Sequence, residues 1–236
     1  MAWLELMRVP NLPTVPGDPL AGFALASAGQ GDVSWWRAIV AVAVALLLYA
    51  AGLIWNDCAD YTEDCRERPQ RPLPSGRISR RQAAAVGAGL AVAGVGLAWL
   101  LGIHAGIVAT ALLLLVVAYN FGSRRIRLLG LFNMGGCRAG SVLLGAAAAR
   151  SPVTWPPIVF AAAAGIGLYI VGVAWLAVDE TEREGRGVNI GLLIRLLIPI
   201  QAVLCVAGGR AGAVAGALVL LGWPVSSWLG RRFYAS

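Results

Sequence analysis

Four side chains with oxygen donors crowd a nine-residue stretch that follows a long apolar run. Asn56, Asp60 and Asp64 are spaced i, i+4, i+8, and Asp57 adds a carboxylate at i+1. On a helix these spacings place all four on one face, and like charges there call for a positive partner. Mg²⁺ binds through one or two carboxylates together with substrate phosphates. The stretch therefore predicts a metal–phosphate site, and the alternative is a solvated helix end.

A second acidic stretch follows another apolar run later in the chain. Asp179 and Glu182 are spaced i, i+3, while Glu180 and Glu184 are spaced i, i+4. Two acidic clusters that face each other across a helical bundle could hold a metal-bound diphosphate between them. The alternative is a charged loop that forms ion pairs with its own arginines.

Arginines lie close to these features, and guanidinium groups bind phosphate oxygens bidentately. A cation alone leaves residual charge on a diphosphate, which arginine could neutralise. The alternative role is anchoring the helix ends at the membrane surface. The candidates follow the first acidic stretch or follow Tyr119: Arg66, Arg68, Arg71, Arg124 and Arg125.

The elements that must position these residues are membrane-spanning helices. Of the 236 residues, 58% are hydrophobic and 13% are charged, whereas soluble domains carry about 25% charged residues. Apolar runs such as 38–55 and 82–102 are long enough to cross a bilayer. We predict an all-α, multispanning transmembrane bundle of about eight helices in one domain, residues 1–236. The bundle would consist of two four-helix halves, with Asp60 and Asp179 in corresponding places.

The predicted spans include two arginines. We place Arg138 and Arg195 near the inner ends of their spans, and we expect no acidic residue in mid-span. The first span is weak and is broken by prolines at its start. The eight spans are 12–29, 36–55, 82–102, 104–121, 128–149, 156–178, 188–207 and 211–229.

All 19 basic residues are arginine, and their distribution predicts an orientation. If the N-terminus is cytosolic, most of them lie in inner loops, and only Arg37, Arg150 and Arg210 lie outside. This is the positive-inside pattern of an integral membrane protein. It places both termini and both acidic stretches in the cytosol. The arginine-, alanine- and glycine-rich usage is typical of high-GC bacteria, which predicts a bacterial cell membrane. Basic residues scattered among loops argue against nucleic-acid binding.

Residues 56–79, NDCADYTEDCRERPQRPLPSGRIS, carry a longer pattern. They resemble the first aspartate-rich motif of the UbiA superfamily of intramembrane prenyltransferases, NDxxDxxxD followed by RPxRPxPSG. Tyr119, Asn120 and Arg124 resemble a second family segment, in which lysine is usual at the last position. Asn133 matches an asparagine that is common near the start of the fifth span. The resemblance covers essentially the whole chain, whose short length is similar to that of the EboC-type branch.

The second family motif, DxxxD followed by glycine, is present only in part. Asp179 and Gly187 match it, but Arg183 stands at the position of the second aspartate. Arginine cannot ligate a cation. Three alternatives follow: Glu182 or Glu184 substitutes as a ligand, the charge of Arg183 replaces the second metal, or activity is reduced or altered.

The resemblance implies an enzyme that depends on Mg²⁺. It would move an isoprenoid chain from a prenyl diphosphate to a hydrophobic acceptor, aromatic or lipid-like, within membrane lipid. The catalytic residues that it implies are Asp60, Asp64 and Asp179. The implied metal ligands are Asn56, Asp57, Asp60, Asp64, Asp179 and Glu182. The implied diphosphate contacts are Asn56, Arg68, Arg71, Tyr119, Arg124, Asn133 and Arg183.

Two other functions would use the same features. A prenyl-diphosphate cyclase or hydrolase would use the same metal site and need no separate acceptor. A protein without catalytic activity would bind or move an isoprenoid or lipid, and Arg183 in the second motif motivates this alternative. Transporters usually show polar or broken segments in mid-membrane, where this sequence shows two arginines and several glycines.

Overall fold

The chain forms a bundle of α-helices in a computed structural model that describes residues 1–30, 33–182 and 189–233, with the backbone alone at 179–182, 211 and 233. Short 3₁₀ helices occupy Val9–Thr14, Ser123–Arg125 and Pro152–Thr154, and no strand occurs in these ranges. The α-helices are α1 (Ala2–Leu6), α2 (Gly17–Ala26), α3 (Trp35–Ala59), α4 (Tyr61–Glu67), α5 (Arg80–Leu101), α6 (Ile103–Phe121), α7 (Arg127–Ala149), α8 (Pro157–Glu182), α9 (Ile190–Arg195), α10 (Leu197–Ala207), α11 (Arg210–Leu220) and α12 (Gly222–Phe233).

Six helical segments of the described chain are long and apolar enough to cross a membrane. The prediction of an all-α, multispanning bundle is therefore confirmed. The segments are Trp35–Glu67, Arg80–Leu101, Ile103–Phe121, Pro157–Val178, Ile190–Ala207 and Gly212–Arg232.

Two of the eight predicted spans are not among these six segments. The first contains only the ten-residue helix α2. It is preceded by a 3₁₀ helix because Pro13 and Pro16 lack the N–H groups of a continuous α-helix. The fifth predicted span corresponds to α7, which is 23 residues long but carries Asn133 and Arg138 within its apolar sequence.

The last two predicted spans are each divided into two helices by a proline. Pro199 cannot donate to the carbonyl four residues earlier, and α9 ends there, at Arg195. Pro224 stands in the same relation to Leu220, where α11 ends. Each of these spans therefore continues as a second helix after a break.

The connection between α4 and α5 is fixed by its own turn chemistry. Gly76 adopts a φ of 73°, in the left-handed region that glycine tolerates. Ser79 then caps α5: its side chain accepts a hydrogen bond from the Gln82 amide, and the Gln82 side chain accepts one from the Ser79 amide. The RPxRPxPSG segment is therefore held as an ordered loop beside the end of α3 and α4.

Arg37 ties three helices together at one end of the bundle. Its Nε donates to the carbonyl of Ala148 at 2.6 Å, and its Nη2 donates to the carbonyl of Leu101 at 2.6 Å. A cation at two helix C-termini satisfies unpaired carbonyls and complements both helix dipoles. The start of α3 therefore meets the ends of α5 and α7 here, which leaves the acidic end of α3 at the opposite end of the bundle.

The short helix α2 packs against α7 with almost no space between the two backbones. A Cβ added at Gly22 would lie 1.8 Å from the carbonyl oxygen of Val142. A Cβ added at Gly145 would lie 1.9 Å from the carbonyl oxygen of Pro19. Both glycines are needed because any side chain would force the helices apart.

We expect Gly22→Ala to destabilise the protein by about 2 kcal/mol or more, because the added methyl group must separate two packed helices. The measurement is the thermal midpoint of the purified protein in lipid. Gly89→Ala is the matched control, because a Cβ at Gly89 meets nothing within 4 Å. Removing a mid-helix glycine at that open position should stabilise by about 0.5–1 kcal/mol. An equal effect at the two positions would contradict the close approach of α2 and α7.

Candidate functional site

A cavity of about 320 Å³ enters the bundle from the end that carries the first acidic stretch. Its walls come from the segment before α3 and from α3, α6, α7, α8 and α9. Arg8, Asn56 and Tyr119 line its outer part. The walls further in are mostly apolar, with side chains such as Leu48 and Val116. The cavity thus joins a polar mouth to an apolar interior.

The three aspartates of the first acidic stretch each form an ion pair with an arginine that lies outside the stretch. Asp57 pairs with Arg8 at 3.3 Å, and Asp60 pairs with Arg124 at the end of the α6–α7 connection. The positive partners that the helical spacing calls for are therefore present in the protein itself.

Asp64 has a different environment from Asp60. Its side chain is only 2% exposed, and Nη1 of Arg71 lies 2.8 Å from Oδ2 and 3.0 Å from Oδ1. Arg68 contacts the same carboxylate more weakly, at 3.5 Å. Asp64 therefore anchors the RPxRPxPSG loop to α4, and this ion pair brings Arg68 and Arg71 to the acidic end of α3.

Asp60 and Asn56 connect two cavities. Asn56 Nδ2 donates to Asp60 Oδ2 at 2.9 Å, and Asn56 lines the apolar cavity. Asp60 lines a neighbouring polar pocket, of about 410 Å³, together with Glu63, Arg66 and Arg124. A ligand with a polyanionic head and an apolar tail could place its head in the polar pocket and its tail in the apolar cavity. Asn56 and Asp60 would then lie at the junction between head and tail.

Tyr119, Asn120 and Asn133 do not all lie at the cavity. Tyr119 and Asn120 line the apolar cavity. Asn120 is buried and donates to the carbonyls of Val116 and Gly52, at 2.9 Å and 3.3 Å. Asn133 does not line the cavity, and its Nδ2 donates to the hydroxyl of Ser123 at 3.0 Å. Asn133 therefore lies beside the 3₁₀ helix Ser123–Arg125, which contains the predicted diphosphate contact Arg124.

The second acidic stretch follows a helix that reaches the same cavity. Ala177 on α8 lines the cavity together with Asn56. The backbone of α8 continues to Glu182, so Asp179 and Glu182 lie on its last turns. The side chains of both residues, and all of Arg183, lie outside the described residues.

The donor set at the cavity mouth suits Mg²⁺. Among the described residues, no group of three or more His, Cys, Asp or Glu side chains could hold a metal ion. Mg²⁺ does not require such a group, because it keeps several ligand positions for water and substrate phosphates. The carboxylate of Asp60 and the amide oxygen of Asn56 are hard donors of the kind that it binds.

The inner part of the cavity contains an ion pair that we did not predict. Asp18 is completely buried, and its Oδ2 lies 2.8 Å from Nη1 of Arg138. The expectation of no acidic residue in mid-span is therefore wrong. Arg138 also lies midway along α7 rather than near an inner end. An isolated charge is costly inside a membrane, so two residues of opposite charge in separate apolar stretches indicate that they pair with each other. Asp18 and Arg138 are such residues in this sequence.

A family model identifies the chain: that of the UbiA prenyltransferase family matches residues 19–236. The chain belongs to the UbiA prenyltransferase family. The match includes both acidic stretches, Arg138 and the cavity walls from α3 onward, and it begins one residue after Asp18.

Curated proteins similar to this UbiA family member are archaeal enzymes. The digeranylgeranylglyceryl phosphate synthase of Sulfurisphaera tokodaii is 33% identical over 130 residues, which cover 55% of this chain and 45% of that protein. The synthase of Methanopyrus kandleri is 32% identical over 156 residues, 64% of this chain and 54% of that protein. The chain spans about half the length of the curated relatives that it matches.

Solved UbiA structures share the fold. A UbiA homolog from Archaeoglobus fulgidus bound to GPP and Mg²⁺ has a TM-score of 0.61 at 14% identity, covering 98% of this chain and 88% of that one. This likeness supports the arrangement of the helices and is too distant in sequence to assign residue roles.

We expect Asp64→Asn to weaken folding of this UbiA protein by about 2 kcal/mol, because it removes a charged, buried hydrogen-bond partner of Arg71. Thermal denaturation would measure the loss, and limited proteolysis would show the 68–79 loop becoming easier to cleave. Glu67→Gln is the control, because its exposed side chain lies 4.0 Å from Arg68 and forms no other ion pair among the described residues. A stable Asp64→Asn protein with an unchanged cleavage pattern would contradict an anchoring role.

Proposed function

We propose that the protein is an integral-membrane prenyltransferase that transfers an isoprenoid chain from a prenyl diphosphate to a hydrophobic acceptor, with Mg²⁺ as cofactor. The observation that carries the proposal is the joining of the Asn56–Asp60 pair to an apolar cavity. A prenyl diphosphate has the same division into a polyanionic head and an apolar tail.

The relatives support this choice of substrate. The structurally similar homolog from Archaeoglobus fulgidus binds GPP and Mg²⁺, and the curated relatives are synthases of digeranylgeranylglyceryl phosphate. Membership of the UbiA prenyltransferase family makes a prenyl diphosphate the first substrate to test.

Asn56 and Asp60 would hold Mg²⁺ from one side, and Asp179 with Glu182 would hold it from the other. When bound, Mg²⁺ supplies positive charge that stabilises the leaving diphosphate.

Side chains at the cavity mouth bind the diphosphate, and the apolar walls exclude water from the reacting carbon. Arg124 and Arg8 carry positive charge to the mouth, and Tyr119 lines it. On binding, the two guanidinium groups would exchange part of their contact with aspartates for phosphate oxygens. Apolar walls such as Leu48 and Val116 surround the chain and exclude water, which would otherwise capture an allylic cation.

We place the cavity mouth on the cytosolic side of a bacterial cell membrane. The loops at that end contain Arg66, Arg68, Arg71, Arg124 and Arg125. The opposite end contains Arg37 and Arg150. This asymmetry follows the positive-inside rule, under which arginine-rich loops stay in the cytosol.

Diphosphate release by purified protein in lipid vesicles tests the proposal. The assay compares Mg²⁺ with EDTA and uses prenyl diphosphates of increasing chain length, with and without a mixed extract of membrane lipids and aromatic metabolites. Release that depends on both Mg²⁺ and the extract is expected, together with a prenylated product in the extract.

The other outcomes contradict the proposal in distinct ways. Release without extract would indicate a cyclase or hydrolase. Saturable, Mg²⁺-dependent binding of the prenyl diphosphate without release would indicate a binding or transport protein, consistent with the substitution at Arg183.

A further inference from the structure

We propose that the inner end of the cavity is the acceptor subsite, and that it selects an uncharged head group bearing hydroxyls. This inference rests on the proposed function, because it assigns the second substrate of the same cavity. The observation behind it is a buried polar network at a depth where the surrounding wall is apolar.

The network fixes the position of Arg138. Its Nη1 donates to Asp18 Oδ2 at 2.8 Å and to the carbonyl of Thr14 at 3.0 Å, and its Nη2 donates to Thr14 Oγ1 at 2.9 Å. Gln201 completes the network by donating to Asp18 Oδ1 at 2.6 Å and to the Thr14 carbonyl at 2.8 Å. The guanidinium lies over the ring of Tyr49, 5.5 Å from its centroid. Arg138 is therefore held rigidly at the cavity wall.

Two groups of this region remain available to a ligand. Three of the five N–H donors of Arg138 are used in the bonds above, and its side chain is 12% exposed. Ser141 lies one turn further along α7, lines the cavity and is 8% exposed. Its hydroxyl has no hydrogen-bond partner among the described residues. A buried hydroxyl without a partner is unfavourable, and a ligand oxygen would satisfy both it and Arg138.

The charge balance decides which kind of oxygen is accepted. Arg138 is neutralised by Asp18, so the pair presents no net charge to a ligand. A phosphate here would bring uncompensated negative charge into an apolar wall, next to the carboxylate of Asp18. A hydroxyl costs no such charge, because it can accept from Arg138 and exchange a hydrogen bond with Ser141.

The distance between the two polar regions suits a small head group. Tyr49 and Asn56 lie seven residues apart on α3, which corresponds to roughly 10 Å along the helix axis. A glycerol unit or a single phenolic ring held at Arg138 would extend towards the prenyl diphosphate at Asn56. The lipid tail of such an acceptor would occupy the apolar part of the cavity.

Binding of two matched probes tests the proposal. The probes are radiolabelled 1-O-hexadecylglycerol and its 3-phosphate, which differ only in the phosphate. Their binding to the protein in vesicles is measured without prenyl diphosphate and corrected for protein-free vesicles. We expect the uncharged probe to bind at least tenfold more tightly than the phosphorylated one.

Variants connect this preference to the network. Ser141→Ala should weaken binding of the uncharged probe about five- to tenfold, which is the effect of one hydrogen bond. Thr110→Val is the matched control: it removes a hydroxyl that bonds within α6, to the carbonyl of Gly106, and does not line the cavity. Asp18→Asn leaves Arg138 without its counter-charge and should shift preference towards the phosphorylated probe by tenfold or more.

Equal affinity for the two probes, or unchanged binding by Ser141→Ala, would overturn the proposal and leave the network with a purely structural role. Mg²⁺-dependent binding of geranylgeranyl diphosphate is measured on the same samples. If that binding persists while the uncharged probe fails to bind, the acceptor assignment alone is wrong. If neither ligand binds, both the acceptor assignment and the proposed function are wrong.

Discussion

Asp60→Asn is expected to lower Mg²⁺-dependent diphosphate release by about 10³-fold, the effect of losing one preorganised charged group at a reacting centre. Asp60 is the carboxylate that faces the polar pocket while contacting Asn56, the residue that opens into the apolar cavity. Its side chain is 20% exposed, so a substrate can reach it. The measurement is release of diphosphate under saturating prenyl diphosphate, with the acceptor extract present.

Glu63→Gln is the matched control for this prediction. Glu63 lines the same polar pocket and carries the same charge, but it forms no hydrogen bond or ion pair with Asn56 or Arg124 among the described residues. The Glu63 variant should retain activity within a few-fold, and the thermal midpoint of Asp60→Asn should stay close to that of the wild type. Equal losses in the two variants would mean that pocket charge, rather than the position of Asp60, supports the reaction.

The sequence was sufficient to predict that Asn56 and Asp60 lie together in the outer part of the candidate site. The spacing of Asn56 and Asp60 is local, and one helical turn at the end of α3 brings their side chains into hydrogen-bond contact. Asp64 follows on α4, after a break in the helix at Asp60. The long apolar runs likewise predicted the helices that form the walls. The contact of Arg8 with Asp57 could not be predicted, because nothing in the sequence shows that the segment around Arg8 folds back onto the end of α3.

The inner part of the site could not be predicted in the same way. Asp18 and Arg138 are separated by 120 residues, and their pairing depends on the close approach of α2 and α7. That approach depends in turn on Gly22 and Gly145, whose role appears only when both backbones are in place. The sequence shows two charges in apolar stretches, which indicates a buried pair but does not identify the partners.

The different environments of Asp60 and Asp64 also could not be predicted from the sequence. Both fit the metal-binding pattern equally well in the sequence. The structure directs Asp64 to Arg71 and leaves Asp60 at the pocket, because the loop after α4 folds back over the end of that helix. Periodicity predicts the helix face on which a side chain lies. Whether that side chain is accessible to a ligand depends on the loop that packs against it, which covers Asp64 and leaves Asp60 exposed to the pocket.

Arg138→Met is expected to reduce the free energy of unfolding by about 3 kcal/mol, because it leaves the carboxylate of Asp18 buried without its counter-charge. Asp18 is 0% exposed and would retain Gln201 as its hydrogen-bond donor. The ion pair connects the short helix α2 to α7, in addition to the close packing at Gly22 and Gly145. The measurement is thermal or denaturant unfolding of the purified protein in lipid.

A double substitution separates the loss of charge pairing from the loss of packing. Adding Asp18→Asn to Arg138→Met removes the isolated charge and should recover at least half of the lost stability, because a neutral amide is cheaper to bury than a carboxylate. Arg81→Met is the matched control, since that side chain is exposed on the first turn of α5 and should change stability by less than about 0.5 kcal/mol. If the double variant were no more stable than Arg138→Met, the arginine would act through its packing against Tyr49 and α7, and the charge of Asp18 would contribute little to holding α2 in place.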